Sequence, residues 1–176
     1  MLYNALKGYN VTILAYGQTS SGKTHTISGT NECPGLIVLT ANSLFKNLKY
    51  LVTPEGINSM PAPHNNEVNF TDRRTHVTIS YLEIYNENVN DLLDGSKRNL
   101  EVRENKSGDV IVEGLTHKIV TCQEEFMECL RDGELVRIFA ETKANVNSSR
   151  SHTVFRIQVE IVDINTETGR RSIRTS

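Results

Sequence analysis

The stretch Gly17–Thr24, GQTSSGKT, fits the pattern G-x-x-x-x-G-K-[ST] at every fixed position. It follows Val11–Tyr16 (VTILAY), a short, mostly apolar run rich in β-branched residues. Such a run reads as a strand covered on both faces, as in a parallel sheet. Glycines at 17 and 22 let the backbone curl so that the N–H groups of Gln18, Thr19, Ser20 and Ser21 turn inward onto phosphate oxygens. A helix starting near Gly22–Lys23 adds its positive dipole end to that anion site. In this pattern Lys23 neutralises the β- and γ-phosphates, and the Thr24 hydroxyl takes a place on Mg²⁺. The plain alternative is a Gly/Ser-rich surface turn followed by a chance Lys-Thr. A strand in front and a helix behind are the context that decides for a nucleoside triphosphate site.

Length and composition bound the rest. The 176 residues suggest one domain, long enough to bury a sizeable core. The apolar fraction is 38%, and no apolar stretch approaches the ~20 residues of a membrane span. Residues 1–7 (MLYNALK) lack the basic and apolar regions of a signal peptide. The net charge of −2 calls for neither nucleic acid nor membrane as a partner. Cys33, Cys122 and Cys129 form no C-x-x-C pair and fit buried or idle thiols in a reducing compartment. A soluble, cytoplasmic chain is expected.

Along the chain, residues 1–10 read as a short helical tail ending at Gly8, and Lys23–Ser28 as a helix stopped near Gly29. That start is abrupt for an α/β nucleotide-binding sheet, and the fold is expected to be incomplete at both ends. Apolar residues spaced along Leu36–Leu51 predict a second helix. Thr53–Asn69 holds three of the four prolines and reads as an exposed loop insertion. His76–Tyr85 is strand-like, and Asn99–Arg103 and Val110–Val112 read as short strands around a turn. Thr121 and Glu124 form a capping box opening a helix to about Ile138, with Phe126, Leu130 and Ile138 on its core side and Gly133 weakening its middle. In His152–Ile164, Phe155, Ile157, Val159 and Ile161 alternate with polar residues, predicting a strand with one wet face. Asp163 reads as a turn residue before Asn165–Gly169, and Arg170–Ser176 begins a partner strand.

A second constellation lies at Asn145–His152 (NVNSSRSH), where small hydroxyl and amide side chains surround one arginine. Such groups can grip phosphate oxygens and a metal-bound water. Read alone it is an ordinary polar helix–strand loop; beside a phosphate loop it gains the reading of a segment that senses the γ-phosphate. GYNVTILAYGQTSSGKTHT, SYLEIYNENVNDLLD and NVNSSRSHTVFRI, in this order and spacing, resemble the kinesin motor domain from about Gly8 to Ile161. Within that family, ETKANVNSSRSHTVFRI most resembles the centromere-protein-E-like branch.

The resemblance implies an α/β P-loop NTPase-type fold, a mixed sheet flanked by helices. It further implies ATP and Mg²⁺ as cofactors, microtubules (tubulin) as partner, and a place on the cytoskeleton or spindle. It puts His25 near the adenine and assigns Asn145, Ser148 and Ser149 to the γ-phosphate, the Mg²⁺ shell and the attacking water. Arg150 would pair with a glutamate of the family's second switch, and Ser151 and His152 would close the motif structurally. Glu83 is assigned no chemistry and is expected to be a strand carboxylate paired within the sheet. The family's second switch, D-x-x-G-x-E, has no match here, and Val162-Asp163 is only an imitation. Only Glu104–Lys118, with Lys106 and Lys118, is expected to reach a filament. The expected function is the ATP-binding part of a microtubule motor ATPase; the alternative is a degenerate motor that binds nucleotide or partner without hydrolysis.

Overall fold

The computed structural model describes residues 1–30, 32–59, 70–143 and 151–176, in two compact units. The first comprises Met1–Val77, Thr121–Gln123 and Gln158–Ser176; the second comprises Thr78–Val120 and Glu124–Ile157.

In the first unit, α1 (Leu2–Leu6) buries Leu6, and the chain leaves it at Gly8 with φ +91°. The glycine absorbs the left-handed turn that ends the helix. Next come α2 (Lys23–Ile27) and α3 (Leu36–Leu51). Ala41, Leu44, Phe45, Leu48 and Leu51 of α3 are all buried, a spacing of three and four that puts them on one face. Helix α3 has the bounds that its periodicity predicts.

Val11–Tyr16, expected to be a strand, is irregular and open to solvent: Leu14 is 82% and Tyr16 94% exposed. An apolar, β-branched run becomes a strand only when its N–H and C=O groups find a ladder partner. Among the described residues none pairs with it. The stretch read as a loop opens instead with α4 (Pro54–Ser59). Thr53 caps it, its hydroxyl accepting from the Gly56 N–H at 3.2 Å, and Pro54 occupies the first helical position, where its missing N–H is harmless. Residues 60–69 of that stretch lie outside the described residues.

Strand β1 (Asp72–Tyr85) starts four residues before the expected His76 and turns through Asn86 and Glu87 into β2 (Asn88–Asp91). Both turn residues have positive φ (47° and 64°), the two-residue geometry that matches strand twist. β3 (Val102–Glu104) and β4 (Val110–Val112) pair antiparallel with Val102 opposite Val112, and β5 (Lys118–Val120) pairs with β1. α5 (Gln123–Lys143) precedes β6 (Ser151–Ile164) and β7 (Arg171–Thr175). The larger sheet runs β2-β1-β6-β7.

In the second unit, Phe126 and Tyr81 both pack on the Phe155 ring, at centroid distances of 5.4 and 5.1 Å. Phe126 and Leu130 face the core as expected, but Ile138 is exposed. Gly133 is no mere weak point: a Cβ there would lie 2.4 Å from Cδ1 of Tyr81, so glycine is what lets α5 approach the ring.

Along β6, Val159 and Ile161 point inward, and so does Asp163, which is fully buried. The turn expected at Asp163 begins two residues later, where Asn165 accepts from Thr168 and Gly169. Asp163 stays in the strand because two arginines meet it: Arg73 of β1 donates from Nε at 2.5 Å, and Arg174 of β7 donates through its NH2 group. Arg73 also donates to the Leu51 and Gly56 carbonyls at 3.4 and 3.2 Å. Burial pulls the Arg174 guanidinium below its usual value, with Asp163 opposing and Arg73 reinforcing the shift.

Candidate functional site

The loop Gly17–Thr24 is a series of turns closed by Gly22, whose left-handed conformation (φ 88°, ψ 13°) caps α2. Ser20 also takes a positive φ of 65°. Glycine suits positions 22 and 17 because their φ of +88° and +157° strain an L side chain. The loop is tied across itself by the Ser21 N–H donating to the Gln18 carbonyl at 3.2 Å.

Lys23 turns back into this loop. Its ammonium donates to the Gly17 carbonyl at 2.8 Å and the Gln18 carbonyl at 2.7 Å. No described carboxylate pairs with it. Both of these acceptors are neutral carbonyls. The first N–H groups of a helix have no intrahelical acceptor, so Lys23 and Thr24 present donors from the same edge. Gln18, Thr19, Ser20, Ser21, Thr24 and His25 are all exposed. Among the described residues no group of three or more His, Cys, Asp or Glu could hold a metal. The exposed Thr24 hydroxyl is a hard oxygen donor of the kind that suits Mg²⁺. Loop, lysine and hydroxyl together fit a magnesium-bound triphosphate.

Asn145, Ser148, Ser149 and Arg150 lie outside the described residues. The motif's last two members open β6: His152 is exposed, and the Ser151 hydroxyl is buried without a described hydrogen-bond partner. Glu83 is buried as expected, but its partner is Arg137 of α5, at 3.8 Å, rather than a sheet residue. Around it is a cluster that sequence reading missed. The Tyr81 hydroxyl donates to Glu134 at 2.5 Å, and Arg137 donates to Glu134 at 3.5 Å. Burial, then the Glu134 carboxylate, pushes the Tyr81 phenol well above its usual value. The available signal was Glu134 and Arg137 one helical turn apart, just after Gly133. The three cysteines are free, and burial raises the Cys129 thiol.

A G-x-x-x-x-G-K-[ST] loop leading into a helix, in a chain of mixed sheet and helices, is consistent with the P-loop class of fold, although the strand expected in front of the loop does not form among the described residues. The sequence profile of the kinesin motor domain matches residues 1–176, and the chain belongs to that family. It is 40% identical over 157 residues to Kinesin-like protein KIN-7I of Oryza sativa subsp. japonica, covering 89% of this chain and 11% of that protein. It is 38% identical over 159 residues to human Centromere-associated protein E, covering 89% of this chain and 5% of that one. In a solved structure of a fast kinesin the fold recurs with a TM-score of 0.76 at 31% identity, over 99% of this chain and 45% of that chain. The chain thus spans a small part of the relatives it matches.

Proposed function

We propose that this chain is the ATP-binding part of a microtubule-based motor that couples ATP hydrolysis to movement. The observation that carries the reading is the Lys23 ammonium held inside the Gly17–Thr24 loop by two carbonyls, with no acidic partner among the described residues. Lys23 and the loop amides take the β- and γ-phosphates, and His25 lies by the adenine. Mg²⁺, shared by the Thr24 and Ser149 hydroxyls, would neutralise charge on the phosphates. Asn145, Ser148 and Ser149 orient the γ-phosphate and the attacking water, and Arg150 pairs with a second-switch glutamate. Microtubules are the partner, with Glu104–Lys118 as the filament-side contact, and the cytoskeleton is the location.

Titration with fluorescently labelled ADP and Mg²⁺ tests the site: Lys23→Ala should abolish detectable binding, and unchanged affinity would overturn it. Phosphate release with and without polymerised tubulin tests the motor reading. Arg150 finds no D-x-x-G-x-E in this chain, and losing such a stabiliser costs on the order of 10²–10³-fold in rate. The chain by itself should therefore show a near-zero rate that tubulin does not raise. A longer chain carrying that motif should be stimulated. Failure of stimulation there would favour nucleotide binding without hydrolysis. A tubulin-dependent rise to ~1–10 s⁻¹ by this chain alone would show that the second switch is dispensable.

A further inference from the structure

Helix α2 carries Lys23 and Thr24, yet it has five residues and buries none of them. An isolated helix under about 12–15 residues is marginal in water, so something outside α2 must set its direction. Immediately after it, the chain crosses itself. Gly29 (φ +74°) and Gly35 meet backbone to backbone: a Cβ on Gly29 would lie 2.1 Å from the Gly35 nitrogen. A Cβ on Gly35 would lie 2.4 Å from the Ser28 carbonyl carbon and 2.5 Å from the Ile27 oxygen. The Gly35 N–H donates to the Ser28 carbonyl at 3.2 Å, and Thr30 N–H to the Cys33 carbonyl at 2.8 Å. The Thr30 hydroxyl closes the loop by accepting from the Cys33 N–H at 3.0 Å. Gly35 is also the N-cap of α3, which buries Ala41, Leu44, Phe45, Leu48 and Leu51 along one face.

We infer that the Gly29–Gly35 crossing is a positioning device for the phosphate loop. It fixes the end of α2 to the start of α3 and thereby holds Lys23 and Thr24 where phosphate and metal are bound. Gly29 is bound to its role by conformation and space, whereas Gly35, with an ordinary φ of −80°, is bound by space alone. The contacts a Cβ would make there are with backbone, which cannot rotate aside. The inference rests on the reading of Gly17–Thr24 as a nucleotide site, and the test separates the two.

Affinity for labelled Mg·ADP is measured together with hydrogen exchange of residues 23–28 and 36–51. Gly35→Ala should weaken binding by about 10- to 100-fold, the scale of an ångström-sized misplacement. Exchange should quicken in 23–28 and stay slow in 36–51. Thr30→Val, an exposed and near-isosteric change, covers the case in which Gly35→Ala does not fold. It removes one hydrogen bond and should weaken binding about three- to fivefold, while Thr30→Ser, which keeps the hydroxyl, should restore it. Loss of binding with exchange quickened equally in both segments would reduce the crossing to ordinary structure and overturn the inference. So would parental affinity in a folded Gly35→Ala or in Thr30→Val. If Lys23→Ala itself binds nucleotide normally, the site reading falls first; if Lys23→Ala abolishes binding and these variants do not weaken it, only the crossing falls.

Discussion

Two charged groups in the same unit, Lys23 and Asp163, are handled in opposite ways. Asp163 is fully buried and met by two guanidiniums, Arg73 and Arg174. Lys23 sits half-buried with only the Gly17 and Gln18 carbonyls for company. Buried charges persist only with partners that offset desolvation. A cation left on neutral acceptors at a glycine loop fits the anion-binding role proposed for it. The first cluster is complete within the protein; the second is the one we propose a ligand completes.

The largest expected effect breaks the complete cluster. Asp163→Asn removes the charge that both arginines face and leaves two buried cations opposed. Removing one partner of a buried pair costs about 3–5 kcal/mol. Urea unfolding should show a loss of that size, and a loss below about 1 kcal/mol, the scale of an exposed pair, would mean the cluster is not closed. Lys23→Ala should do the reverse. Binding should weaken at least about 100-fold, or roughly 2.8 kcal/mol at 1.4 per tenfold, while urea stability stays within about 0.5 kcal/mol. Equal losses in binding and stability for either variant would erase the distinction.

The same contrast explains what could be read from the sequence. The Gly17–Thr24 motif could be read from sequence because a phosphate-loop pattern is local: eight consecutive residues carry the glycines, the lysine and the hydroxyl, and the proposed role of Lys23 rests on that pattern. Helix α3 was legible for the same reason, its buried face lying within its own periodicity. Asp163 was misread as a turn residue because what keeps it in the strand lies elsewhere, Arg73 being 90 positions away. Val11–Tyr16 failed similarly: composition announces a strand, but a ladder partner is a long-range fact. Pro54 pointed to a loop, yet it opens α4 because Thr53 caps it. Of the candidate site, the Gly17–Thr24 half is described, and the Asn145–Arg150 half rests on sequence and family.

Gly133 offers a smaller and more local test of how tightly the second unit is closed. Its missing Cβ makes room for the Tyr81 ring at 2.4 Å. On helix propensity alone, Gly133→Ala would gain about 1 kcal/mol. Overpacking against a ring that Glu134 and Phe155 hold on two sides costs about 1–3 kcal/mol. Net destabilisation in urea is expected, and net stabilisation would show that the ring can give way.

The smallest effect is a dependence on pH carried by the Tyr81 phenol. Burial first, and the Glu134 carboxylate second, raise its folded value above that of the unfolded chain. The folded state therefore keeps a proton that the unfolded state releases once pH passes about 10. The sign follows directly: this stability is fully present below pH 10 and is lost as pH rises beyond it. With one proton at stake, the slope approaches about 1.4 kcal/mol per pH unit. Other groups also titrate in that range, so the measure is the difference between the parent and Tyr81→Phe in urea stability from pH 9 to 11. The variant keeps the ring that Gly133 accommodates and loses only the ionisable hydroxyl. Below pH 9.5 the parent should be the more stable, by about 0.5–1.5 kcal/mol for one hydrogen bond to Glu134. Above pH 10 that advantage should shrink. A constant difference across the range would mean that the phenol titrates alike in both states and that Glu134 does not hold it neutral.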